Sequence, residues 1–273
     1  MYKLLTLDLD GTTLDSQKKI PHETIEALKK LRSMNVEVAI ASGRGVAELI
    51  DYREMTDEIR FAILLSGALV YNCQELKPVA YRAIDPKLQR EIIQAGIDEN
   101  AMVQILTSGK SICRQIDIDH MDDFAMGIYH SMYERVCERC ENFFDVVEKY
   151  SDEICKINIY HRSIKSCDVT QARLKKFPLE VVRAEELGLE MNSLGISKAV
   201  GLRDLCEHLK IDLSEVISIG DAYNDLELLK IVGRSVAMGN AEDQVKKIAD
   251  EITLTNDENG VLATIRKYFG GDL

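Results

Sequence analysis

A chain of 273 residues, 46% hydrophobic and 29% charged, has ordinary globular composition and room for one large or two medium domains. Its net charge of −12 argues against nucleic acid or an anionic membrane as partner, but not against an anionic small substrate met by a metal ion or a few lysines. No apolar run approaches the roughly 20 residues of a membrane span, the start of the chain does not read as a signal peptide, and seven scattered cysteines suit reduced thiols. A cytoplasmic protein is expected.

The first predicted element is the apolar run from Lys3, which ends in Asp8-Leu9-Asp10-Gly11-Thr12-Thr13. Short, β-prone and apolar throughout, it reads as a strand buried on both faces of a parallel sheet. Strand side chains alternate, so Asp8 and Asp10 leave its C-terminal end on the same side, and Gly11 lets the chain turn away. Ligands bind at that end of an open α/β sheet, and two carboxylates forced together there invite a divalent cation.

Pro21 opens a helix with apolar positions at Ile25, Leu28 and Leu31. A second strand over 36–41 ends in Ser42-Gly43-Arg44, a helix is predicted over about 45–55, and a third strand over 61–65 ends in Ser66-Gly67. Strand, helix, strand, helix, strand is the rhythm of a doubly wound parallel sheet. Residues 68–81 read as a hairpin.

From 83 to 191 the texture changes. Strands predicted over 101–106, 111–116, 154–160, 178–183 and 186–191 come in adjacent pairs, with helices near 86–98, 119–149 and 163–176. This is an α+β domain inserted into the first, which takes residues 1–82 and 192–273. Cys137-Glu138-Arg139-Cys140 falls in the predicted 119–149 helix and, lacking a second Cys pair, reads as packing. The first texture then returns: Ser197 caps a helix burying Leu202, Leu205, Cys206 and Leu209, and the strand 216–220 ends in Asp221, with Asn224 and Asp225 at a helix start. The stretch 235–240, a helix near 241–249, residues 252–254 and a last helix to about 269 complete the α/β sheet.

Polar residues therefore close three strand ends: Asp8/Asp10, Ser42-Gly43, and Asp221 with Asn224/Asp225. Lys198 stands at the start of a helix between the second and third. This order resembles the haloacid dehalogenase-like superfamily of phosphotransferases across essentially the whole chain: D-x-D-G-T at 8–12, the hydroxyl at Ser42, the lysine at 198 and G-D-x-x-N-D at 220–225, with the large cap type inserted between hydroxyl and lysine. Val236-Ala237-Met238-Gly239-Asn240-Ala241 and Thr255-Asn256-Asp257-Glu258-Asn259-Gly260-Val261 resemble its Cof-type branch.

The resemblance implies that Asp8 is a nucleophile forming an aspartyl phosphate. Asp10 is then the acid for the leaving oxygen and afterwards the base for water. It further implies Mg²⁺ on Asp8, Asp221 and the Asp10 carbonyl, phosphoryl oxygens held by the Leu9 and Gly43 amides, Ser42, Lys198 and Asn224, and Asp225 behind them as an orienting group. Arg44 is a further phosphate candidate. His120, His130, Arg114, Tyr129 and Lys156 are candidates to line the pocket around the leaving group. Three positions depart from the family pattern: Ala199 where Gly is common, Ser66 where Asn is common, and Thr13 where Leu is common.

The expected activity is Mg²⁺-dependent hydrolysis of a small phosphorylated metabolite, a sugar phosphate or a phosphorylated cofactor. A phosphomutase on the same scaffold and a non-catalytic sensor of phosphorylated ligands are the alternatives. Retention of both Asp8 and Asp10 disfavours the sensor.

Overall fold

The computed structural model describes residues 2–184 and 186–270. Its strands are β1 (Leu4–Leu7), β2 (Glu37–Ala41), β3 (Phe61–Leu64), β4 (Leu69–Asn72), β5 (Lys77–Tyr81), β6 (Met102–Thr107), β7 (Ser111–Arg114), β8 (Cys137–Cys140), β9 (Ile154–Tyr160), β10 (Leu179–Ala184), β11 (Gly188–Ser193), β12 (Val216–Gly220), β13 (Arg234–Ala237) and β14 (Glu251–Ile252). The chain divides into two compact units: Met1–Gly43, Asp51–Ala80 and Ser197–Leu273 form one, and Arg44–Ile50 with Tyr81–Ile196 form the other.

The first unit is built on an eight-stranded sheet in the order β14-β13-β12-β1-β2-β3-β4-β5. Strands β14 through β3 run parallel, and β4 turns back antiparallel on β3. Every residue of β1 is buried, as its apolar run demands of a strand with neighbours on both sides. The chain leaves β1 toward β2 and β3, then returns to β12 on its other side. β1 is thus the switch point of the sheet, where a crevice opens beyond the carboxyl ends of the strands. Leu7 lies opposite both Ile40 and Ile219, so Asp8, Ala41 and Gly220 leave the sheet side by side.

Helices pack on this sheet through the faces their periodicity announces. The helix His22–Ser33 buries Ile25, Leu28 and Leu31, with Pro21 just before it. The helix Lys198–Leu209 buries Leu202, Leu205 and Cys206 against Leu4, Ala39, Phe61, Ile63 and Val70. Its N-terminus carries a correction. Ser197 sits at the capping position, but its hydroxyl caps nothing and is buried without a partner. The segment before the helix is fixed instead by close approach, since a Cβ on Gly67 would lie 2.0 Å from the Ser197 carbonyl oxygen.

The second unit has a six-stranded sheet, β10-β11-β9-β6-β7-β8, antiparallel except for the pair β7–β8. Helices Pro86–Asp98, Phe143–Tyr150 and Ile164–Leu174 share a core with Val103, Ile105, Ile157, Ile159, Leu189 and Met191 from one face of the sheet. The continuous helix expected over 119–149 is not formed. Residues 115–129 make short helical turns, His130–Val136 is a short α-helix, Cys137–Cys140 is the edge strand β8, and a second short helix, Phe143–Tyr150, is capped by the Asn142 side chain. The reason is the unpaired edge of β7, whose backbone groups are satisfied by Cys137–Cys140, a stretch whose local pattern fits a helix equally well. The segment expected as a helix over 45–55 is also looser, a 3₁₀ stretch Val46–Tyr52 followed by one α-turn. Among the described residues no helix is long and apolar enough to cross a membrane.

Candidate active site

The first unit gathers its charges where β1 and β12 end. Asp8 is 7% exposed, Asp225 2% and Lys198 1%. The Lys198 ammonium donates to Asp8 Oδ1 at 2.5 Å and Asp225 Oδ1 at 2.6 Å, and approaches Asn224 Oδ1 at 3.5 Å. A cation on the first turn of a helix opposes the helix dipole. Burial also works against its charge, but Asp225 and Asp8 outweigh burial and hold the Lys198 pKa above the ordinary lysine value. Lys198 is thus a fixed positive charge resting on the carboxylate that leaves β1.

Asp225 is itself clamped. Its Oδ2 accepts the amides of Asp221 and Ala222 at 3.0 and 3.1 Å, which folds the 220–225 turn around it. Gly220 is required there, because a Cβ would lie 2.5 Å from the Asp225 carboxyl carbon. Asp221 accepts the Thr12 hydroxyl at 2.6 Å, and the Thr13 hydroxyl donates to the Asp8 carbonyl at 2.5 Å. Thr13, the departure from Leu, therefore braces the main chain of Asp8.

Three carboxylates face a single ammonium. Burial raises the Asp8 carboxyl well above its ordinary pKa, with Asp225 and Asp221 adding to the shift and Lys198 opposing it. Burial also pushes Asp221 up to about 6, against the hydrogen bond from Thr12 and with the help of Asp225. Oxygens of Asp8, Asp221 and Asp225 all lie within 4.8 Å of one another. Such a donor set, hard, oxygen-only and in excess negative charge, fits a divalent cation such as Mg²⁺. Within that set Asp225 is engaged by Lys198 and two amides, and Asp8 by Lys198.

The other expected residues are placed differently. The Asp10 side chain does not join the cluster; its Oδ1 accepts Lys18 Nζ at 2.8 Å. The Leu9 side chain is fully buried and its carbonyl takes the amides of Thr13 and Leu14. Ser42 is buried at the end of β2, its amide on the Ile63 carbonyl and its carbonyl on the Ser66 amide. The loop Leu65-Ser66-Gly67 beside it has three consecutive positive φ angles of 54°, 62° and 103°, unusual for Leu and Ser and typical of backbone held at a functional edge. Ala199, the second departure, lies in the core beside Leu202 and Leu205. Arg44 belongs to the second unit, where its guanidinium meets the Met132 sulfur at 3.9 Å.

The leaving-group candidates of the second unit are mostly accounted for by packing or exposure. Arg114 makes a two-pronged pair with Asp117 and lies over the Phe143 ring, Lys156 is fully buried against Glu190 at 2.6 Å, and His120 and His130 are exposed. What the sequence did not reveal is a buried polar network on this sheet. Gln104 Nε2 donates to Glu48 Oε1 (2.7 Å) and Ser111 Oγ (2.8 Å), and Gln104 Oε1 accepts from Tyr133 and from Asn158, each at 2.9 Å. Lys18, Thr12 and Thr13 were likewise missed as partners of the acidic residues. Only the threonines carried a signal, as hydroxyls directly after D-x-D-G.

Residues 5–265 match the family of haloacid dehalogenase-like hydrolases. The chain belongs to this family. It is 28% identical over 279 residues to phosphatase YwpJ of Bacillus subtilis, covering 95% of this chain and 97% of that one. It is 29% identical over 268 residues to the 5-amino-6-(5-phospho-D-ribitylamino)uracil phosphatase YcsE of the same organism, with 97% and 95% covered. A solved haloacid dehalogenase-like hydrolase from Bacteroides thetaiotaomicron superposes with a TM-score of 0.86 at 27% identity, covering 98% of this chain and all of that one. The expected family and fold class, an α/β core with a doubly wound, mostly parallel sheet, are both borne out. The chain is a phosphatase of this family.

Proposed function

We propose that this phosphatase hydrolyses the phosphate monoester of a small metabolite through an aspartyl-phosphate intermediate. An Asp8 carboxylate oxygen attacks phosphorus as the ester P–O bond breaks, and Asp10 gives its proton to the departing oxygen. Asp10 then takes a proton from water, whose oxygen attacks phosphorus; the Asp8–phosphorus bond breaks and inorganic phosphate leaves. Lys198, Ser42, Asn224 and the amides of Leu9 and Gly43 hold the phosphoryl oxygens as charge shifts among them.

Asp8, Asp221 and the Asp10 carbonyl are the groups to hold Mg²⁺, which when bound offsets repulsion between the Asp8 carboxylate and the dianionic substrate. Asp225 orients Lys198. The second unit serves as the cap that excludes water from the first step and reads the leaving group. The phosphorylated ribityl chain in the name of YcsE's substrate supports a phosphate on a primary alcohol of a polyol or sugar. Seven free thiols support a reducing compartment, the cytoplasm.

One observation carries this reading: Asp8 is buried at the switch-point edge of the sheet with one oxygen on Lys198 and its carboxyl beside Asp221. Phosphate release from a panel of phosphorylated sugars, polyols and cofactors, with and without Mg²⁺, tests it, with Asp8→Asn as the near-isosteric control. Turnover that requires Mg²⁺ and disappears in Asp8→Asn is expected. No release from any substrate, or full release by Asp8→Asn, would overturn it.

A further inference from the structure

The two stretches resembling the Cof-type branch, 236–241 and 255–261, have no part in the chemistry above. The structure nevertheless brings both onto the loop that follows Asp10. Asn240, just past β13, donates from Nδ2 to the Gly11 carbonyl at 2.8 Å. Its Oδ1 accepts the amide of Asn256, just past β14, at 3.0 Å. Asn256 in turn donates from Nδ2 to the Leu14 carbonyl at 2.9 Å, and Asp257 Oδ1 accepts the Ser16 amide at 2.8 Å. Two loops from neighbouring strands thus grip residues 11–16 at three points.

Those points are in a stretch with no freedom on its other side. Gly11 has φ +82°, and a Cβ on it would lie 2.4 Å from Asp221 Oδ2. Gly11 therefore packs directly on Asp221 while its carbonyl is held by Asn240. Asp10 is one residue away, between the fixed end of β1 and this pinned glycine. Its side chain, though, is 38% exposed and rests on Lys18, at the tip of the same loop. To serve as acid, that carboxyl must leave Lys18 and reach the ester oxygen by side-chain rotation. A rotation delivers the proton to one place only if the backbone pivot stays still, and misplacement of a reacting group by about 1 Å can cost on the order of 10²-fold.

We infer that Asn240 and Asn256 are positioning residues for Asp10, holding the 11–14 backbone as the pivot about which the proton donor turns. Asn240 is exposed and Asn256 half-buried, so neither side chain is needed to fill the core. Their side-chain donors are spent on main-chain carbonyls of the one segment that carries Asp10. The inference rests on the reading of Asp10 as the acid.

The test is a leaving-group series of ring-substituted phenyl phosphates, followed by kcat/KM, which reports steps up to ester cleavage and not the later attack of water. Loss of an acid hurts poor leaving groups most, because p-nitrophenolate departs without a proton whereas phenolate does not. Asn240→Ala and Asn256→Ala are expected to lose about 10-fold more on phenyl phosphate than on p-nitrophenyl phosphate, part of the 10²–10⁴-fold an acid supplies. In an Asp10→Asn background the same substitutions should add no further loss.

Equal losses on both substrates, or losses that persist in Asp10→Asn, would assign the two asparagines a merely structural role and overturn the inference. Melting curves of each variant, expected close to wild type, separate unfolding from mispositioning. If Asp10→Asn itself leaves the leaving-group dependence unchanged, the acid assignment fails, and the inference falls with it. A steepened dependence in Asp10→Asn, without one in the asparagine variants, removes the inference alone.

Discussion

The two sheets bury polar groups differently, even though the six-stranded one also holds the ion pair of buried Lys156 with Glu190. At the edge of the eight-stranded sheet, Asp8 and Asp225 share one ammonium, Lys198, with Asp221 beside them, and the carboxylates outnumber the cation. On the six-stranded sheet, Gln104 joins Ser111, Tyr133 and Asn158 through uncharged hydrogen bonds, and Glu48 is the acidic member of the group, taking Gln104 and the Gly45 amide. Burial pushes the phenols of Tyr133 and Tyr160 up, so they stay neutral. A network built mainly of amides and hydroxyls helps specify a fold, even with the Asn158 carbonyl oxygen left unpartnered, whereas a charged cluster left unbalanced is poised to receive a cation and an anionic ligand. The difference teaches where chemistry resides: in the region whose charges the protein alone does not balance.

The largest expected effect breaks the charged side of this comparison. Asp8→Asn should lower phosphate release by about 10³-fold or more while the protein remains folded, measured by turnover and circular dichroism. Lys198→Met leaves the buried carboxylates without their cation and should cost about 3–5 kcal/mol in urea unfolding at neutral pH without metal. That loss should shrink as pH falls and the carboxylates take up protons.

Metal and pH sharpen the contrast next. Because burial raises the folded pKa of Asp221 from the ordinary carboxylate range to about 6, this group binds more protons in the folded state between those values. In the metal-free protein its contribution therefore favours folding at low pH and is lost as pH rises through about 6. Asp8, raised by burial, acts in the same direction. Mg²⁺ requires the ionised forms, so the gain in melting temperature on adding it should be larger at pH 7.5 than at pH 5. The stabilisation behind that gain should approach about 2.7 kcal/mol at a hundredfold excess over Kd, and Asp221→Asn should abolish most of it.

Gln104→Leu tests the neutral side. It strands Tyr133, Asn158 and Glu48 and should cost about 1–3 kcal/mol, a loss unaffected by Mg²⁺. A Mg²⁺-dependent loss would blur the distinction between the two regions. The smallest effect is expected for Thr13→Val, which removes one hydrogen bond to the Asp8 carbonyl and should cost about 1 kcal/mol.

The charged region was legible in the sequence because its residues leave strand ends in short fixed spacings. Asp8, Asp10, Asp221, Asn224 and Asp225 could be assigned to one edge of a parallel sheet from the apolar runs before them, and Lys198 from its place at a helix start. What spacing cannot give is side-chain direction: Asp10 turns to Lys18, Ser197 leaves its helix uncapped, and Asn240 and Asn256 reach the 11–14 loop from more than 200 residues away. The Gln104 network was illegible because Gln104 and Asn158 are isolated polar residues in mostly apolar strands and meet only once β6 and β9 pair. The broken 119–149 segment failed for a related reason, since β8 exists only because β7 offers it an edge.

The central claim is that Asp8 carries the phosphoryl group. It is tested most directly by acid-quenching Asp10→Asn during reaction with p-nitrophenyl phosphate and Mg²⁺, then mapping phosphate on the digested protein. This leaving group needs no acid, while hydrolysis of the intermediate lacks its base, so the phosphorylated protein should accumulate. The account predicts one phosphoryl group per chain, on the peptide containing Asp8 and absent from the Asp8→Asn, Asp10→Asn double variant. Release of p-nitrophenol with Asp8 unmodified, or with the phosphate on another residue, would contradict it.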